Sequence, residues 1–228
     1  MKLLAVETAT DACSAALTIN GVIHERYALA SKEHTQLILP MVDELMKAAG
    51  LQPSDLDGLA FGCGPGSFTG VRIATGIMQG MALGLDLQVM PVSTLAAIAQ
   101  DYFDQHDATV AYVAMDARMG EIFWGVYQRD ADGFAQLLGS EVVTPPELIE
   151  YPDLPGVGLG TGWGVYAQVL LEQLSEQISH YEIDPLPRAR AIASLGMRGF
   201  ARQQAVSVER AMPVYLRNKV AKKEVERC

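Results

Sequence analysis

The stretch GCGPGSFTGVRIATGIMQGMALG, residues 62–84, limits what this chain can fold into more than any other. It opens as a glycine-rich loop and runs on as a helical pattern that glycine keeps interrupting. Glycine inside a helix is unfavourable, so Gly70, Gly76 and Gly80 together cost about 2–3 kcal/mol against alanine. A neighbouring element packed close to the helix backbone would offset that cost. On a helical wheel of about 100° per residue, Ala74, Ile77, Met81 and Gly84 fall within roughly 40° of Gly70. Val71, Met78 and Ala82 flank this line on one side, Gly76 and Gly80 on the other, and only Arg72, Thr75 and Gln79 form a polar strip. A helix apolar nearly all round is buried on more than one side.

The loop before it has two readings. It is neither GxxxxGK[ST] nor GxGxxG, yet the backbone amides of Gly64 to Thr69 at a helix N-terminus can hold an anion. Ser67 can equally be the N-cap of that helix. The packing reading is preferred, because a second wide apolar face lies upstream. In SKEHTQLILPMVDELMKAAG, Leu37, Met41 and Leu45 form one stripe, with Ile38, Val42 and Met46 beside it, and Gly50 ends the helix. Pro40 requires a start near Leu37 or a kink. Two such helices leave apolar surface that one sheet cannot cover. Anion binding at the loop stays open beside this.

Around these helices the chain reads as α/β. KLLAVETAT is a strand, and SAALTING and VIHERYALA form a hairpin turned at Asn20-Gly21. DLDGLAFGCG and DLQVMPVST are two further strands, and LAAIAQDYF is a helix. A second cycle starts near Gln105. ATVAYVAMDAR and EIFWGVYQRD make a hairpin, FAQLLGSEVVTP a third strand, and VGLGTG a strand and turn. Helices are expected over 163–177 and 189–203. Two halves of this kind point to an ancient duplication.

Composition excludes several function classes. With 228 residues, half of them hydrophobic, the chain can bury a sizeable core. No window approaches the roughly 18 apolar residues of a membrane span, and the short apolar run in MKLLAVETAT reads as a strand rather than a signal peptide. Cys13, Cys63 and Cys228 lie far apart with no CxxC pair, which points to a reducing cytoplasm, with Cys13 and Cys63 as small buried hydrophobes. His24, His34, His106 and His180 never pair at helical spacing and read as surface or loop residues, which argues against a zinc enzyme. GPGSFTG misses the G-x-S-x-G nucleophile elbow by one register. Residues 1–187 carry 7 Lys and Arg against 24 Asp and Glu, whereas residues 188–228 carry 10 against 3. A basic tail on an acidic body can meet RNA or an acidic partner, though scattered Arg on solvated helices is the plainer reading.

AVETATDACSAAL, HTQLILPMVDELM and GPGSFTGVRIA, in that order and spacing, resemble the TsaB (YeaZ) family. GTGWGVY and MPVYLRNKVA extend the resemblance over essentially the whole chain. It implies an actin/Hsp70-like ATPase (ASKHA) fold of two α/β subdomains, each with a central mixed sheet. The N-terminal one would span 1–106 and could take in a terminal helix at 215–228, and the C-terminal one would span 107–214. It further implies a cytoplasmic, non-catalytic subunit of the machinery that transfers threonylcarbamoyl from threonylcarbamoyl-AMP to N6 of an adenosine in ANN-decoding tRNAs. TsaD would be the catalytic partner, TsaE an associated ATPase, and a homodimer the state of the chain alone. The interface would use Leu37, Ile38, Met41 and Leu45 with Ile73, Gly76, Ile77, Gly80 and Met81.

Under this resemblance no cofactor is bound tightly, ATP or ADP is expected only at a subunit junction, and no metal belongs to the chain. TsaD-like proteins carry a His-x-x-x-His metal pair after the fifth strand, where this chain has Thr94 and Ile98. Residual nucleotide contacts would come from Glu7, Thr8, Gly64, Gly66 and Ser67 in the first half and from Asp116 and Arg118 in the second, although Glu7 and Asp116 can equally be turn caps. Arg217, Lys219, Lys222 and Lys223 would border the tRNA path, with tRNA met only through the complex. The alternatives are an active small-molecule kinase or ATPase of the same fold and, more remotely, a metallopeptidase.

Overall fold

The apolar run Leu3–Val6 forms the middle of β1 (Lys2–Glu7), and burial on both faces explains why it does not alternate. β2 (Ala12–Ile19) and β3 (Val22–Leu29) follow as antiparallel neighbours, turned at Asn20 and Gly21 with φ of 52° and 83°. Both values are positive, as a tight two-residue hairpin requires. α1 (His34–Ala49) leads to β4 (Gly58–Gly62), parallel to β1, and α2 (Phe68–Leu85) leads to β5 (Val89–Val92), parallel to β4. α3 (Thr94–Phe103) closes the first half. The computed structural model describes residues 1–217 of the chain.

The second half repeats the plan. β6 (Val110–Arg118), β7 (Glu121–Arg129) and β8 (Ala135–Thr144) are antiparallel in sequence, and β9 (Gly156–Leu159) lies parallel to β6. α4 (Thr161–Leu174), β10 (Ile178–Glu182) and α5 (Ala189–Ala201) complete it. The strand orders β3-β2-β1-β4-β5 and β8-β7-β6-β9-β10 are the same order twice. This doubled α/β arrangement is the one the actin-like resemblance implies. The copies differ at one place: the second has only a short 3-10 turn, Pro146–Leu148, where the first has α1.

α1 and α2 cover one face of the first sheet, and α4 covers the corresponding face of the second. The facing sides of the sheets hold α3 and α5, which pack on each other. α3, from the first half of the chain, lies on β6, β7 and β8, while α5, from the second half, lies on β1, β2, β4 and β5. Each half therefore closes the core of the other. Two charged links pin the start of α5: Arg188 pairs with Glu25 at 2.6 Å, and Arg190 pairs with Asp101 of α3.

Five local expectations change. Residues 178–182, expected to lie outside any element, form the strand β10; with Ser179, His180 and Tyr181 exposed, this edge strand carries no apolar signal. α4 consequently runs over 161–174 rather than 163–177. α1 begins at His34 and continues through Pro40, whose missing N–H falls on the exposed side of the helix, where water can satisfy the carbonyl of Gln36. His34 is no surface histidine: it is buried in the first turn of α1, and its Nε2 lies 2.8 Å from the carbonyl of Thr10. Of the expected terminal helix at 215–228, residues 215–217 are not helical, and the remainder lies outside the described residues.

Candidate functional site

The glycine-rich loop is built around the β1–β2 turn. Ser67 N donates to the carbonyl of Ala9 at 2.7 Å, and Thr8 Oγ1 donates to the carbonyl of Gly70 at 2.7 Å. A Cβ on Gly70 would lie 2.0 Å from the Thr8 carbonyl oxygen, and one on Gly66 would lie 2.5 Å from that of Ala9. No side chain fits at either position, so these two glycines serve close contact between backbones. Ser67 is also the N-cap of α2, its Oγ accepting from Gly70 N at 3.4 Å. The three glycines further along α2 differ. Gly76, Gly80 and Gly84 have no non-local heavy atom near the place of a Cβ, so nothing in this chain requires glycine there.

Glu7 ends β1 fully buried under this loop. One carboxyl oxygen accepts from Ala9 N, while Oε2 has no hydrogen-bond partner among the described residues. Burial pushes its acid up to about 7, against the pull of the backbone N–H groups of Ala9 and Thr8. The neighbouring thiols are raised too. Burial, helped by Glu7, pushes Cys13 up to about 11, and burial, helped by Glu141 and Glu7, pushes Cys63 up to about 12. Both are inert small hydrophobes at neutral pH.

Across the cleft, the β6–β7 turn carries Asp116 and Arg118. The Asp116 carboxylate accepts from Arg118 N at 2.9 Å and pairs with its guanidinium at 3.1 Å, while Asp116 N lies 3.1 Å from Thr161 Oγ1 at the start of α4. Arg118 and Met119 take positive φ of 63° and 59°, strained values for side chains of this size. Asp116 therefore caps the turn.

The expected site residues thus form two groups, Glu7, Thr8, Gly64, Gly66 and Ser67 on one lobe and Asp116 and Arg118 on the other. A strap from Gln204 to Arg217, which sequence reasoning missed, joins them. Val206 pairs with Val89 of β5, Gln79 of α2 donates to the carbonyl of Ala211, and Val214 N donates to the carbonyl of Cys63. Arg217 then pairs with Glu121 and reaches the carbonyl of Arg118 at 3.3 Å. So Arg217 is engaged within the chain, while Lys219, Lys222 and Lys223 lie outside the described residues. A second missed cluster ties β7 and β8 to the start of α3, where Tyr127 and Ser93 both donate to the carboxylate of Glu141. Ser93 also caps α3, a role its place before a helical run makes legible in sequence.

The positions of the absent imidazole pair are committed to packing: Thr94 is fully buried, and Ile98 sits in the core beneath β6 and β7. Among the described residues, no three His, Cys, Asp or Glu side chains are placed to hold a metal ion, and no helix is long and apolar enough to cross a membrane. The expected interface residues divide. Ile38 and Leu45 point into the core, Leu37, Met41, Ile73, Ile77 and Met81 lie at its outer margin, and Gly76 and Gly80 are exposed.

Doubled topology with a backbone-filled loop at the first turn defines a two-lobed α/β protein of the actin-like class. A family model described as TsaD, tRNA N6-adenosine threonylcarbamoyltransferase, matches residues 16–223. The chain is 42 % identical to the tRNA threonylcarbamoyladenosine biosynthesis protein TsaB of Escherichia coli (strain K12), over 99 % of this chain and 98 % of that one. To the protein of the same name from Haemophilus influenzae it is 37 % identical, over 99 % and 97 %. Among solved structures, YeaZ from Pseudomonas aeruginosa superposes with a TM-score of 0.88 at 42 % identity, covering 94 % of this chain and 99 % of that one. The chain belongs to the TsaB/YeaZ family, within the broader family of the TsaD model.

Two outcomes follow from this geometry. Gly70→Ala should destabilise the fold by about 1–3 kcal/mol or more in urea unfolding, because the Thr8 carbonyl cannot yield without moving the turn. Glu7 holds its proton more tightly folded than unfolded, so its contribution is complete below pH 4.5 and is lost as pH rises through about 7. A displacement of this size couples to about 3 kcal/mol. Urea titrations from pH 5 to 8 should show that decline in the natural chain and a flatter profile in Glu7→Gln.

Proposed function

We propose that this chain is a non-catalytic subunit of the machinery that makes threonylcarbamoyladenosine in tRNA. It docks through the outer faces of α1 and α2 onto the homologous helices of a TsaD protein, which carries the transfer of threonylcarbamoyl to N6 of adenosine. The observation that carries this reading is the row Gly76, Gly80 and Gly84, spaced by four along one side of α2 with open space before it. Each of the three weakens the isolated helix by about 0.8–1 kcal/mol. That is understandable where a second helix must approach the backbone closely. Ile73, Ile77 and Met81 border the row, and Leu37 and Met41 extend the apolar margin onto α1.

The family name supports the pathway, and the burial of Thr94 and Ile98 supports the division of labour, because the positions of a metal pair hold core side chains instead. When the chain is alone, the same face pairs with itself about a twofold axis. TsaE joins as a separate ATPase, and tRNA is met through the assembled complex.

Gly80→Leu separates this role from a merely structural one. Its side chain enters open space, so the isolated chain should become more stable by about 0.5–1 kcal/mol as a good helix former replaces glycine. Its affinity for TsaD in a calorimetric titration should nevertheless fall by about 100-fold, as expected of a disrupted interface core. A variant that is more stable and binds TsaD as tightly as the natural chain contradicts the assignment.

A further inference from the structure

Where the strap crosses between the lobes, it leaves an apolar surface that contains Arg72, a cation with no ion pair among the described residues. Phe68 in the first turn of α2, Tyr215 and Met212 on the strap, and Met119 on the β6–β7 turn are all exposed, Phe68 at 54 % and Met119 at 67 %. Contacts link them. The rings of Phe68 and Tyr215 lie 5.8 Å apart, Gln79 Nε2 is 3.7 Å from Met212 Sδ, and Arg217 Nη1 is 3.9 Å from Met119 Sδ.

Arg72 lies over the Phe68 ring and reaches the edge of Tyr215. Its guanidinium carbon is 3.6 Å from the centre of the Phe68 ring and 5.8 Å from that of Tyr215, and its Nε donates to Tyr215 Oη at 2.8 Å. Arg118 is neutralised by Asp116 and Arg217 by Glu121, whereas Arg210 of the strap is exposed and forms no ion pair among the described residues. Among the described residues, Arg72 forms no ion pair.

This arrangement holds a planar guanidinium in one orientation with its terminal nitrogens uncommitted. Tyr215 is itself fixed, because Val214 is bonded to Cys63 and Arg217 to Glu121. A partner group that binds the fork therefore loses little further side-chain entropy. Among the described residues this surface combines Phe, Tyr, Met and Arg, the side chains enriched in protein interfaces. A nucleic-acid strand would call for several open cations along a track, whereas Arg118 and Arg217 at this junction are already paired. A single oriented guanidinium in an apolar rim fits a carboxylate, which it can bind through two parallel hydrogen bonds.

We infer that this surface is a second docking point for a protein partner, which presents an Asp or Glu carboxylate to Arg72 and apolar side chains to Phe68, Met212 and Tyr215. Arg72 lies one helical turn before Gly76, so the surface continues the outer face of α2. The identity of the partner rests on the reading above: one TsaD molecule covers both.

The test is a titration of the full chain with TsaD at two salt concentrations, using Arg72→Gln, Arg72→Glu and Phe68→Ala. All three changes are at exposed positions, and thermal melting checks that each variant is folded. Arg72→Gln should weaken binding about 10-fold and flatten its salt dependence, Arg72→Glu should weaken it about 100-fold, and Phe68→Ala should weaken it several-fold. If Arg72→Glu binds TsaD like the natural chain while Gly80→Leu does not, the second docking point is wrong and the helix-face reading stands. If neither variant weakens binding, both are wrong. An effect confined to tRNA binding by the assembled complex, or to self-association of the lone chain, assigns the surface to RNA or to a second copy and overturns the inference.

Discussion

The carbonyl oxygens of Thr8 and Ala9, pressed against Gly70 and Gly66, set the position of everything that matters for function in this molecule. That contact seats the start of α2 on the β1–β2 turn, and Ser67 completes it by bonding to Ala9 and capping the helix. Once α2 is seated, the side carrying Val71, Ala74 and Met78 faces the sheet and the side carrying Gly76, Gly80 and Gly84 faces outward. A carbon atom added at Gly70 would lift the helix off the turn. One added at Gly80 meets nothing within the chain. The same helix thus contains glycines with two different physical reasons, one internal and one that points outside the molecule.

The two lobes are held as one unit by exchange rather than by a simple seam. α3 and α5 each close the core of the opposite half, and the Arg188–Glu25 and Arg190–Asp101 pairs fix where α5 begins. On the other side of the cleft, the strap from Gln204 to Arg217 links Cys63 to Glu121. Four buried side-chain oxygens among the described residues lack a partner, on Glu7, Thr18, Thr94 and Gln177, and Glu7 is the acid among them, with one oxygen unpaired beneath the glycine loop. A carboxyl so placed is better suited to staying neutral within the packing than to holding a charge at a reaction centre. In this account the molecule keeps the architecture of a nucleotide-handling protein while its first turn meets polypeptide.

Much of this was legible in the sequence, because local physics and tertiary context agree there. The Asn20-Gly21 turn, the strand β1, the cap at Ser67 and the apolar face by which α2 meets the sheet each follow from residue type and spacing, whereas the second buried side expected of α2 is open within the chain. β10 was not legible, since an exposed five-residue edge strand has no apolar alternation to reveal it. The exchange of α3 and α5 is a property of the assembled sheets, and the periodicity of either helix is the same whichever lobe it covers. At the candidate site, the loop glycines were visible as a group, but their division into inward and outward sets needed the neighbouring carbonyls. Glu7 reads from sequence as a carboxylate beside hydroxyls, and only its burial shows that it is no solvent-facing ligand. The strap was hidden because its hold on both lobes runs largely through backbone groups and through Arg217, which looks like any other arginine in a basic tail.

The most direct test of the central claim is calorimetric titration of the isolated chain with ATP and Mg²⁺, with phosphate release followed in the same samples. If the turn at Thr8 and Ala9 is occupied by the chain itself, millimolar nucleotide should give no saturable heat, no rise in melting temperature and no phosphate. Saturable binding with turnover by the lone chain would show that the loop opens to a phosphate, and would contradict the account.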